Sequence, residues 1–190
     1  GDPNVTGFSN CECVSCYAKI SVDGATRQTQ CRGFENVILA ERCYAEMMGS
    51  QIAYGFYNCA KLISCDANVG IKESGWATIG YWCERTICIN CTGRAYSLAT
   101  GIATYGAAAC FYLPYKQGYY YMSMSGCHAI ADSNDYHYCG ILAEPQPEDQ
   151  SGPYSQYAIL GCALEGSGYF KRGPKQLSGN GTETGTLATP

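Results

Sequence analysis

Cysteine is the residue type whose number and spacing offer the most chemistry in this sequence. "CECVSC" begins at residue 11, and "CERTICINC" begins at residue 83. The chain of 190 residues holds fourteen cysteines, an even number that permits complete pairing. Cysteine at this density is typical of secreted chains that are held together by disulfides. We therefore predict disulfides at Cys11, Cys13, Cys16, Cys31, Cys43, Cys59, Cys65, Cys83, Cys88, Cys91, Cys110, Cys127, Cys139 and Cys162.

Zinc binding is the competing use of so many cysteines. A zinc finger or ribbon needs paired CxxC motifs at short spacing. The two CxxC pairs, Cys13–Cys16 and Cys88–Cys91, are far apart in the chain. Both histidines, His128 and His137, lie in "CHAIADSNDYHYC", a pattern that a disulfide-flanked turn explains. We predict no metal site and no cofactor.

Enzymatic catalysis finds little support in the residue pattern. A nucleophile needs a nearby base, and cysteines in disulfides cannot serve as nucleophiles. The sequence has no Gly-x-Ser-x-Gly elbow and no phosphate-binding loop. Paired carboxylates would have to come from sixteen scattered acidic residues. We predict that the protein is not an enzyme, and a secreted hydrolase with unidentified carboxylates is the third alternative.

Charge, hydropathy and sequons all favour an extracellular protein. The net charge is −4 without a cluster of Lys or Arg, so we expect no nucleic acid partner. No apolar run approaches the roughly twenty residues of a membrane span, so we expect none. The chain begins at Gly1 without Met, as a processed or excised product would. Three Asn-x-Thr sequons predict glycans at Asn4, Asn90 and Asn180.

The cysteine clusters open two stretches whose landmarks keep the same order. Gly7-Phe8 precedes the first cluster and Gly80-Tyr81 precedes the second. "CVSC" then matches "CINC", "CYAEMMGS" matches "CHAIADSN", and "YGFYNCAKL" matches "NDYHYCGIL". This order predicts an internal duplication. We divide the chain into module 1 with an N-terminal arm (1–72), module 2 (73–170) and an extended C-terminal arm (171–190).

Local patterns predict two kinds of element in each module. The alternating residues on either side of Asp23-Gly24 predict a hairpin, because Asp-Gly suits a type I′ turn. The second copy predicts a hairpin over 95–105, and "FYLPYKQGYYYMSM" predicts another that turns at 116–118. Segment 37–48, "VILAERCYAEMM", predicts a helix between Asn36 and Gly49. The predicted fold class is therefore β-rich α+β, disulfide-stapled, with two tandem cysteine-rich modules and extended termini.

Segment Cys43–Leu62 resembles the PAN/apple module of secreted adhesion proteins. It has a cysteine on the predicted helix, then an aromatic strand, then Cys59 three residues before Leu62. Segment Cys127–Leu142 carries the same order less fully, and Met47 stands where the pattern has a second helix cysteine.

Tyrosine and the C-terminal arm indicate how the protein meets partners. Seventeen tyrosines are present, and tyrosine is enriched at interfaces. The arm has few apolar residues, but its alternating threonines could form an added strand. The predicted interface residues are Tyr119, Tyr120, Tyr121, Thr182, Thr184, Thr186 and Leu187.

These observations together predict a secreted, extracellular structural protein. Its predicted role is that of a repeating subunit of a fibre or coat, joined head to tail to other copies of itself through the terminal arms. The alternative is a secreted lectin-like or adhesive binding module that uses the Tyr-rich surface and has carbohydrate as its partner.

Overall fold

The structure, a computed structural model, describes residues 4–21, 30–49, 52–71, 77–97, 107–114, 121–132, 138–143, 156–166, 169–172 and 178–183. Every regular element among these residues is a β-strand, and every pair of neighbouring strands there is parallel. Within these ranges, no helix of the length and hydropathy needed to cross a membrane is present.

The strands form two sheets, one of seven strands and one of twelve. The seven-stranded sheet contains β1 (Val5–Ser9), β4 (Gln30–Glu35), β7 (Ile52–Tyr57), β10 (Ala77–Trp82), β13 (Ala107–Leu113), β16 (Tyr138–Ala143) and β18 (Tyr169–Arg172). The twelve-stranded sheet contains β2 (Glu12–Val14), β3 (Tyr17–Ser21), β5 (Leu39–Glu41), β6 (Tyr44–Gly49), β8 (Lys61–Ile63), β9 (Asp66–Ile71), β11 (Ile87–Ile89), β12 (Thr92–Ser97), β14 (Tyr121–Ser125), β15 (His128–Asp132), β17 (Gln156–Gly166) and β19 (Ser178–Glu183).

The chain winds through these sheets as a parallel β-solenoid. Each of the first coils contributes one strand to the seven-stranded sheet, then a short strand and a longer strand to the twelve-stranded sheet. β1 pairs with β4, β4 with β7, and β7 with β10, so that each coil lies directly on the next. Parallel strands need such long connections between partners, and the rest of each coil provides them.

A column of stacked aromatic rings forms the centre of the core. The centroids of successive rings in this column lie 5.0, 4.7, 5.1 and 4.6 Å apart. The planes of neighbouring rings differ by no more than 9°. The rings, which we call the aromatic column, belong to Phe8, Phe34, Phe56, Tyr81 and Phe111. Stacking aromatic rings in register buries a large apolar area in each of these coils.

A glycine precedes each of the first four rings. At this glycine the alternation of side chains between the two faces of the strand is interrupted, which we call the phase change. In a regular strand, Tyr54 and Phe56 would share a face. Instead Phe56 packs in the central core, whereas Tyr54 packs in a separate cluster with Ile79. Between them, a Cβ atom on Gly55 would meet a backbone oxygen of the next coil at 2.6 Å. Only glycine fits at this point, because the backbones of two coils approach so closely.

Single residues in the left-handed conformation make the corners of the coils. One set follows the strands of the seven-stranded sheet and includes Asn10, Asn36 and Asn58, with φ near 52–55°. The side chain of Asn58 donates to that of Asn36 at 2.7 Å, so this corner is also stacked. A second set precedes the longer strands of the twelve-stranded sheet or, at Gly161, lies within β17, and comprises Ser15, Arg42, Ser64, Asn90, Gly126 and Gly161. Asparagine and glycine tolerate this conformation best.

The helix predicted over 37–48 is wrong. That segment forms β5 and β6 around a left-handed corner at Arg42. Cys43, Ala45 and Met47 alternate into the core and are buried. The good helix formers in this segment are overridden because each strand is stabilised by neighbours in the coils above and below.

Two of the three predicted hairpins are also wrong where the structure describes them. For the first, β3 pairs in parallel with β6, and the predicted partner residues 25–28 lie outside the described residues. β13 and β14 lie in different sheets, and β12 pairs in parallel with β9 and β15. Residues 22–29, 98–106 and 115–120, which include the predicted turns, lie outside the described residues.

The fold class is therefore all-β and not α+β, and it is not disulfide-stapled. The thirteen cysteines whose side chains are described are free thiols. The repeating unit is one coil, since both sheets continue across residue 72 through the pairs β7–β10 and β9–β12. The division into units 1–72, 73–170 and 171–190 stays a prediction, and β18 and β19 of the predicted arm pair with β16 and β17 of their own chain.

Candidate functional site

The first coil leaves three strand edges unpaired in the described part of the chain. β1 is the terminal strand of the seven-stranded sheet, and β2 and β3 are the two ends of the path through the twelve-stranded sheet. The Asn10 amide donates to the Glu35 carbonyl of the second coil at 3.1 Å. Because successive amides of a strand point to opposite sides, that of Ser9 points away from the second coil. It belongs to an open edge.

The same argument applies to β2. The Ser15 amide donates to the Glu41 carbonyl at 2.9 Å, towards the second coil. The amides of Glu12 and Val14 therefore point away from it. An edge of this kind is a template for pairing with another strand.

The core is also less covered at the first coil than elsewhere. Phe8 has a stacked ring on one side, that of Phe34, and is only half-buried. Cys11, Cys16 and Ile20 are likewise half-buried. Their counterparts deeper in the solenoid, such as Cys43 and Met47, are at most 1% exposed. We call this surface, made of the free edges of β1, β2 and β3 with Phe8, Cys11, Cys16 and Ile20, the open end.

Apolar side chains also lie around the rim of the open end. Val5 is 39% exposed, Val14 is 53% exposed and Tyr17 is 52% exposed. Exposed apolar groups that are contiguous with an unpaired edge are typical of an interaction surface.

The last coil has a different character. Its backbone register pairs Lys171 with Ile141 and Gly179 with Ile159, two residues that are buried in the core. It also pairs Gly181 with the buried Cys162 and Glu183 with Leu164. The register thus sets Lys171, Gly179 and Gly181 opposite residues that are buried in the preceding coil.

Six cysteines occupy one position in six successive coils. In each coil the residue after the cysteine donates its amide to the carbonyl of the cysteine one coil earlier, at 2.8–2.9 Å. Neighbouring thiols of this set affect each other's pKa, for example those of Cys65 and Cys91, of Cys91 and Cys127, and of Cys127 and Cys162. This cysteine column consists of Cys16, Cys43, Cys65, Cys91, Cys127 and Cys162.

The thiols are close together but are not bonded. The Sγ atoms of Cys11 and Cys13 lie 3.4 Å apart and those of Cys83 and Cys88 lie 3.9 Å apart. A disulfide has an S–S distance of about 2.05 Å. The cysteines therefore serve here as small apolar residues of the core, and sequence spacing alone could not distinguish this use from pairing.

Burial keeps several of these thiols neutral. It raises the pKa of Cys43 to about 11 and the pKa of Cys59 and of Cys110 to about 12. A neutral thiol is a poor nucleophile and a poor metal ligand. Among the described residues, no three His, Cys, Asp or Glu side chains are placed so that they could hold a metal ion.

Polar and aromatic side chains cover the outside of β3, β6 and β9. The Tyr17 and Tyr44 rings stack at 5.3 Å, and the Tyr17 hydroxyl donates to Glu46 at 2.5 Å. Lys19 forms an ion pair with Glu46 at 2.9 Å. The Tyr17 hydrogen bond and the Lys19 ammonium lower the pKa of the Glu46 carboxyl. We call this surface, which also includes Asn68, the polar face.

A second aromatic group lies on the outside of the seven-stranded sheet. The Trp82 ring lies 5.7 Å from Tyr54, 5.5 Å from Tyr57 and 4.5 Å from Tyr112. The Arg32 guanidinium lies 4.5 Å from the centroid of Tyr57. Tyr54 and Tyr112 are less than a tenth exposed, so this cluster is mainly structural.

The structure separates the residues that the sequence singled out. Asn4 precedes β1, Asn90 is an exposed corner residue between β11 and β12, and Asn180 lies in β19. Tyr121 begins β14, His128 lies in β15, and Thr182 lies in β19. Residues 119, 120, 137, 184, 186 and 187 lie outside the described residues.

Sequence reasoning missed the open end. Its central residue, Phe8, belongs to a Gly-Phe pair that recurs at residues 33 and 55. A search for this pair at the spacing of one coil would have placed Phe8 at the start of a column. The fold and its open end define the class of the molecule, a parallel β-solenoid. No protein-family model, curated protein or solved structure matches the chain.

Proposed function

We propose that this protein is a structural protein, a repeating subunit of an extracellular fibre or coat whose solenoids join end to end. The open end is the observation that supports this proposal. One more coil would pair the free amides of β1 and β2 and would cover the half-buried ring of Phe8. A second copy of the chain can supply such a surface.

The way in which the coils of the solenoid are held together suits a protein that bears mechanical load. Each coil is held by hydrogen bonds and stacked side chains of the coils directly above and below it, as at Phe56 between Phe34 and Tyr81. The stability of such a repeat grows with the number of interfaces between coils. Joining two solenoids adds one more interface of the same kind.

Proline substitutions at the free edges test this proposal. The double variant Ser9→Pro/Val14→Pro removes two amides that point away from the second coil, so the bonds within the solenoid are kept. The matched control, Ser9→Ala/Val14→Ala, shortens the same two side chains and leaves the amides in place.

Sedimentation velocity and electron microscopy over a range of concentrations provide the measurement. We expect the wild type and the alanine control to assemble and the proline variant to remain monomeric and folded. A wild-type chain that stays monomeric at every concentration would refute the proposal, as would a proline variant that assembles normally.

The second candidate function is a secreted carbohydrate-binding module. The polar face favours it, since the exposed Tyr17 ring lies beside the carboxylate and cation of Glu46 and Lys19. Aromatic rings with adjacent hydrogen-bonding groups suit sugar rings. Calorimetric titration with soluble polysaccharides tests this function. Binding that Tyr17→Ala abolishes, while assembly is unchanged, would favour this candidate over the fibre subunit.

A further inference from the structure

We infer that the short strands of the twelve-stranded sheet form a lateral contact, through which one solenoid packs side by side on a second copy of the chain in a neighbouring filament. The two solenoid axes are parallel, and each coil faces the same coil of the second copy. This inference rests on the proposed function and adds a lateral contact to its end-to-end joint. Three observations carry it: exposed apolar side chains, the distribution of charge, and the regular spacing of the coils.

Each of the first six coils contributes one row of three residues to a narrow face of the solenoid. In β2, β5, β8 and β11 the middle residue is buried and the residue on either side of it is more exposed, so those two point outward. The register continues these rows through residues 123–125 of β14 and 158–160 of β17. We call the outward side of these six rows the short-strand face.

Exposed apolar side chains concentrate on the short-strand face. Six large apolar side chains are exposed among the described residues, and four of the six belong to this face or directly precede one of its strands. Ile87 is 38% exposed, Val14 and Leu160 are each 53% exposed, and Ile38, which precedes β5, is 65% exposed. Such a concentration is typical of an interaction surface.

Charge is unevenly distributed along the short-strand face. Its outward residues carry charge in the first three rows only, at Glu12, Glu41 and Lys61. The long strands beside the last three rows differ, since Arg94 on β12 is charged and exposed. The outward residues of the last three rows are Ile87, Ile89, Ser123, Ser125, Ala158 and Leu160. These rows can therefore be covered without desolvating a charge on the face.

A second copy of the chain is a partner whose rows match those of the short-strand face. Rows in both copies repeat about every 4.8 Å, so rows that begin in register stay in register over all six coils. A twofold axis parallel to the solenoid axis sets the first residue of each row opposite the third residue of the same row in the other copy. Ile87 then faces Ile89 of the other copy.

The same arrangement brings opposite charges together. Lys61 faces Ile63 of the other copy and lies one row from its Glu41, at about 4.8 Å along the axis. Glu41 already forms an ion pair with Arg42 of its own chain at 2.7 Å, and a carboxylate can accept from both cations. With antiparallel axes and all six rows overlapping, Lys61 would face Ile87 and have no acidic residue in its own row or the adjacent rows of the partner face. Parallel axes are therefore favoured.

The contact between two free subunits is small. Six rows span about 24 Å, and two outward residues give a width of about 10 Å, so each copy contributes roughly 250 Å² of surface. A stable interface uses about 800 Å² on each partner. Filaments raise the strength of such a contact, because each subunit already bound holds the next pair of faces together. We therefore expect bundles of filaments and no lateral dimer of free subunits.

Charge substitutions on two different faces test the inference. The double variant Ile87→Glu/Leu160→Glu places two negative charges on the short-strand face. The control, Arg94→Glu, changes the net charge by the same amount on the outside of β12. Circular dichroism and denaturation midpoints check that each variant folds, and Ile87→Ser/Leu160→Ser replaces the double variant if it does not. Low-speed centrifugation collects bundles, high-speed centrifugation collects single filaments, and electron microscopy measures their widths.

The expected result is a loss of bundles with filaments retained. We expect the double variant to reduce the protein in the low-speed pellet by roughly tenfold or more, whereas Arg94→Glu should match the wild type. Wild-type filaments that stay single overturn the lateral contact and leave the fibre proposal standing. Bundles that persist in the double variant, or that Arg94→Glu disperses equally, also overturn the lateral contact. A wild-type chain that remains monomeric overturns both proposals.

Photo-crosslinking from position 125 tests the direction of packing. Ser125 is exposed in the fifth row, away from both ends of the solenoid, and is replaced by benzoylphenylalanine. ¹⁵N-labelled and unlabelled full-length chains are mixed before assembly and irradiation, and mass spectrometry of mixed-isotope peptides then identifies contacts between copies. Crosslinks to residues 123–125 of the other copy support parallel packing. Crosslinks to residues 39–41, or none between copies within bundles, overturn the inference.

Discussion

A Cβ atom on Gly55 would lie 2.6 Å from the carbonyl oxygen of Gly80, one coil further along the chain. The same atom would lie 2.9 Å from the Cβ of Ala67 across the core. The Gly80 oxygen belongs to the backbone and the Ala67 Cβ is bonded to it, so neither atom can move away without a shift of the backbone. We expect Gly55→Ala to reduce the free energy of unfolding by about 3 kcal/mol or more. Urea denaturation followed by circular dichroism measures this change.

Gly161→Ala is the control for this substitution. Nothing lies within 4 Å of the added Cβ there, and the cost comes from the left-handed backbone alone, φ 58°. That cost is about 1–2 kcal/mol. Equal effects of the two substitutions would contradict the close approach of the coils at Gly55.

The corner at Ser64 offers a stabilising substitution. Ser64 has φ 50°, whereas Gly126 and Gly161 occupy the equivalent corner in later coils. We expect Ser64→Gly to raise the free energy of unfolding by about 0.5 kcal/mol, because relief of the left-handed strain exceeds the entropy that glycine loses on folding. Ser64→Ala keeps the strain and should give no gain. Denaturation midpoints of the two variants provide the test, and a Ser64→Gly variant less stable than wild type would count against it.

Alkaline pH should destabilise the solenoid through its buried thiols. Burial raises the pKa of the Cys59 and Cys110 thiols to about 12, against about 8.5 for an unfolded cysteine. The stabilisation is fully present below the unfolded value, because the thiols are neutral in both states there. It is lost as the pH rises from about 9 towards 12, since only the unfolded state then releases protons. Each such thiol contributes a slope of about 1.4 kcal/mol per pH unit.

The dependence of unfolding on pH measures this effect directly. Denaturant titrations at a series of pH values between neutrality and the alkaline range give the slope. Cys110→Ala should make the slope shallower by the contribution of one thiol, even if it also lowers stability at neutral pH. A slope that is identical in the two proteins would show that Cys110 does not contribute.

The rate at which each thiol is alkylated should depend on how deeply its position in the coils is buried. Cys11 and Cys16 are half-buried at the open end, whereas Cys31 and Cys110 have no exposed surface. We expect iodoacetamide to modify the first two in the folded, unassembled protein and the other two only after unfolding. Peptide mass spectrometry gives the order in which the cysteines are modified. Modification of Cys31 at the rate of Cys16 would contradict the burial, and a mass lower by two hydrogens per cysteine pair would reveal disulfides.

The predicted internal duplication matched some residues that are structurally equivalent, but its repeat was longer than one coil. Gly7 and Gly80 both stand at the phase change of a strand, and Phe8 and Tyr81 both belong to the aromatic column. At these residues the predicted duplication aligned the first coil with the fourth, whereas its match of Cys59 with Cys139 is wrong, because the register leads from Cys139 to Tyr54. The shorter period was hidden because the corresponding residues differ between adjacent coils. Cys13, for example, is followed at its position by Ala40 and then Leu62.

Two physical effects explain the remaining errors. Helix propensity in 37–48 is a local property, and contacts with coils distant in sequence overrode it at Cys43 and Met47. Cysteine count indicates disulfides only where cysteines are not already needed as small core residues. In this solenoid, Cys43 and Cys65 fill a buried position between stacked coils. The open end depends on which strands lack a partner, and that follows only from the complete order of strands.

The pairing of each strand with strands exactly one coil away also bears on how such a chain can change in evolution. Joining residue 54 directly to residue 80 by recombination would delete one coil and set Gly80 on Gly33, with Tyr81 following Phe34 in the aromatic column. The reverse event would add a coil. Deletions and duplications of one coil preserve every type of contact, whereas a shift of one residue turns side chains to the opposite face. The length of the molecule is therefore free to vary in coil-sized steps and is constrained against smaller ones.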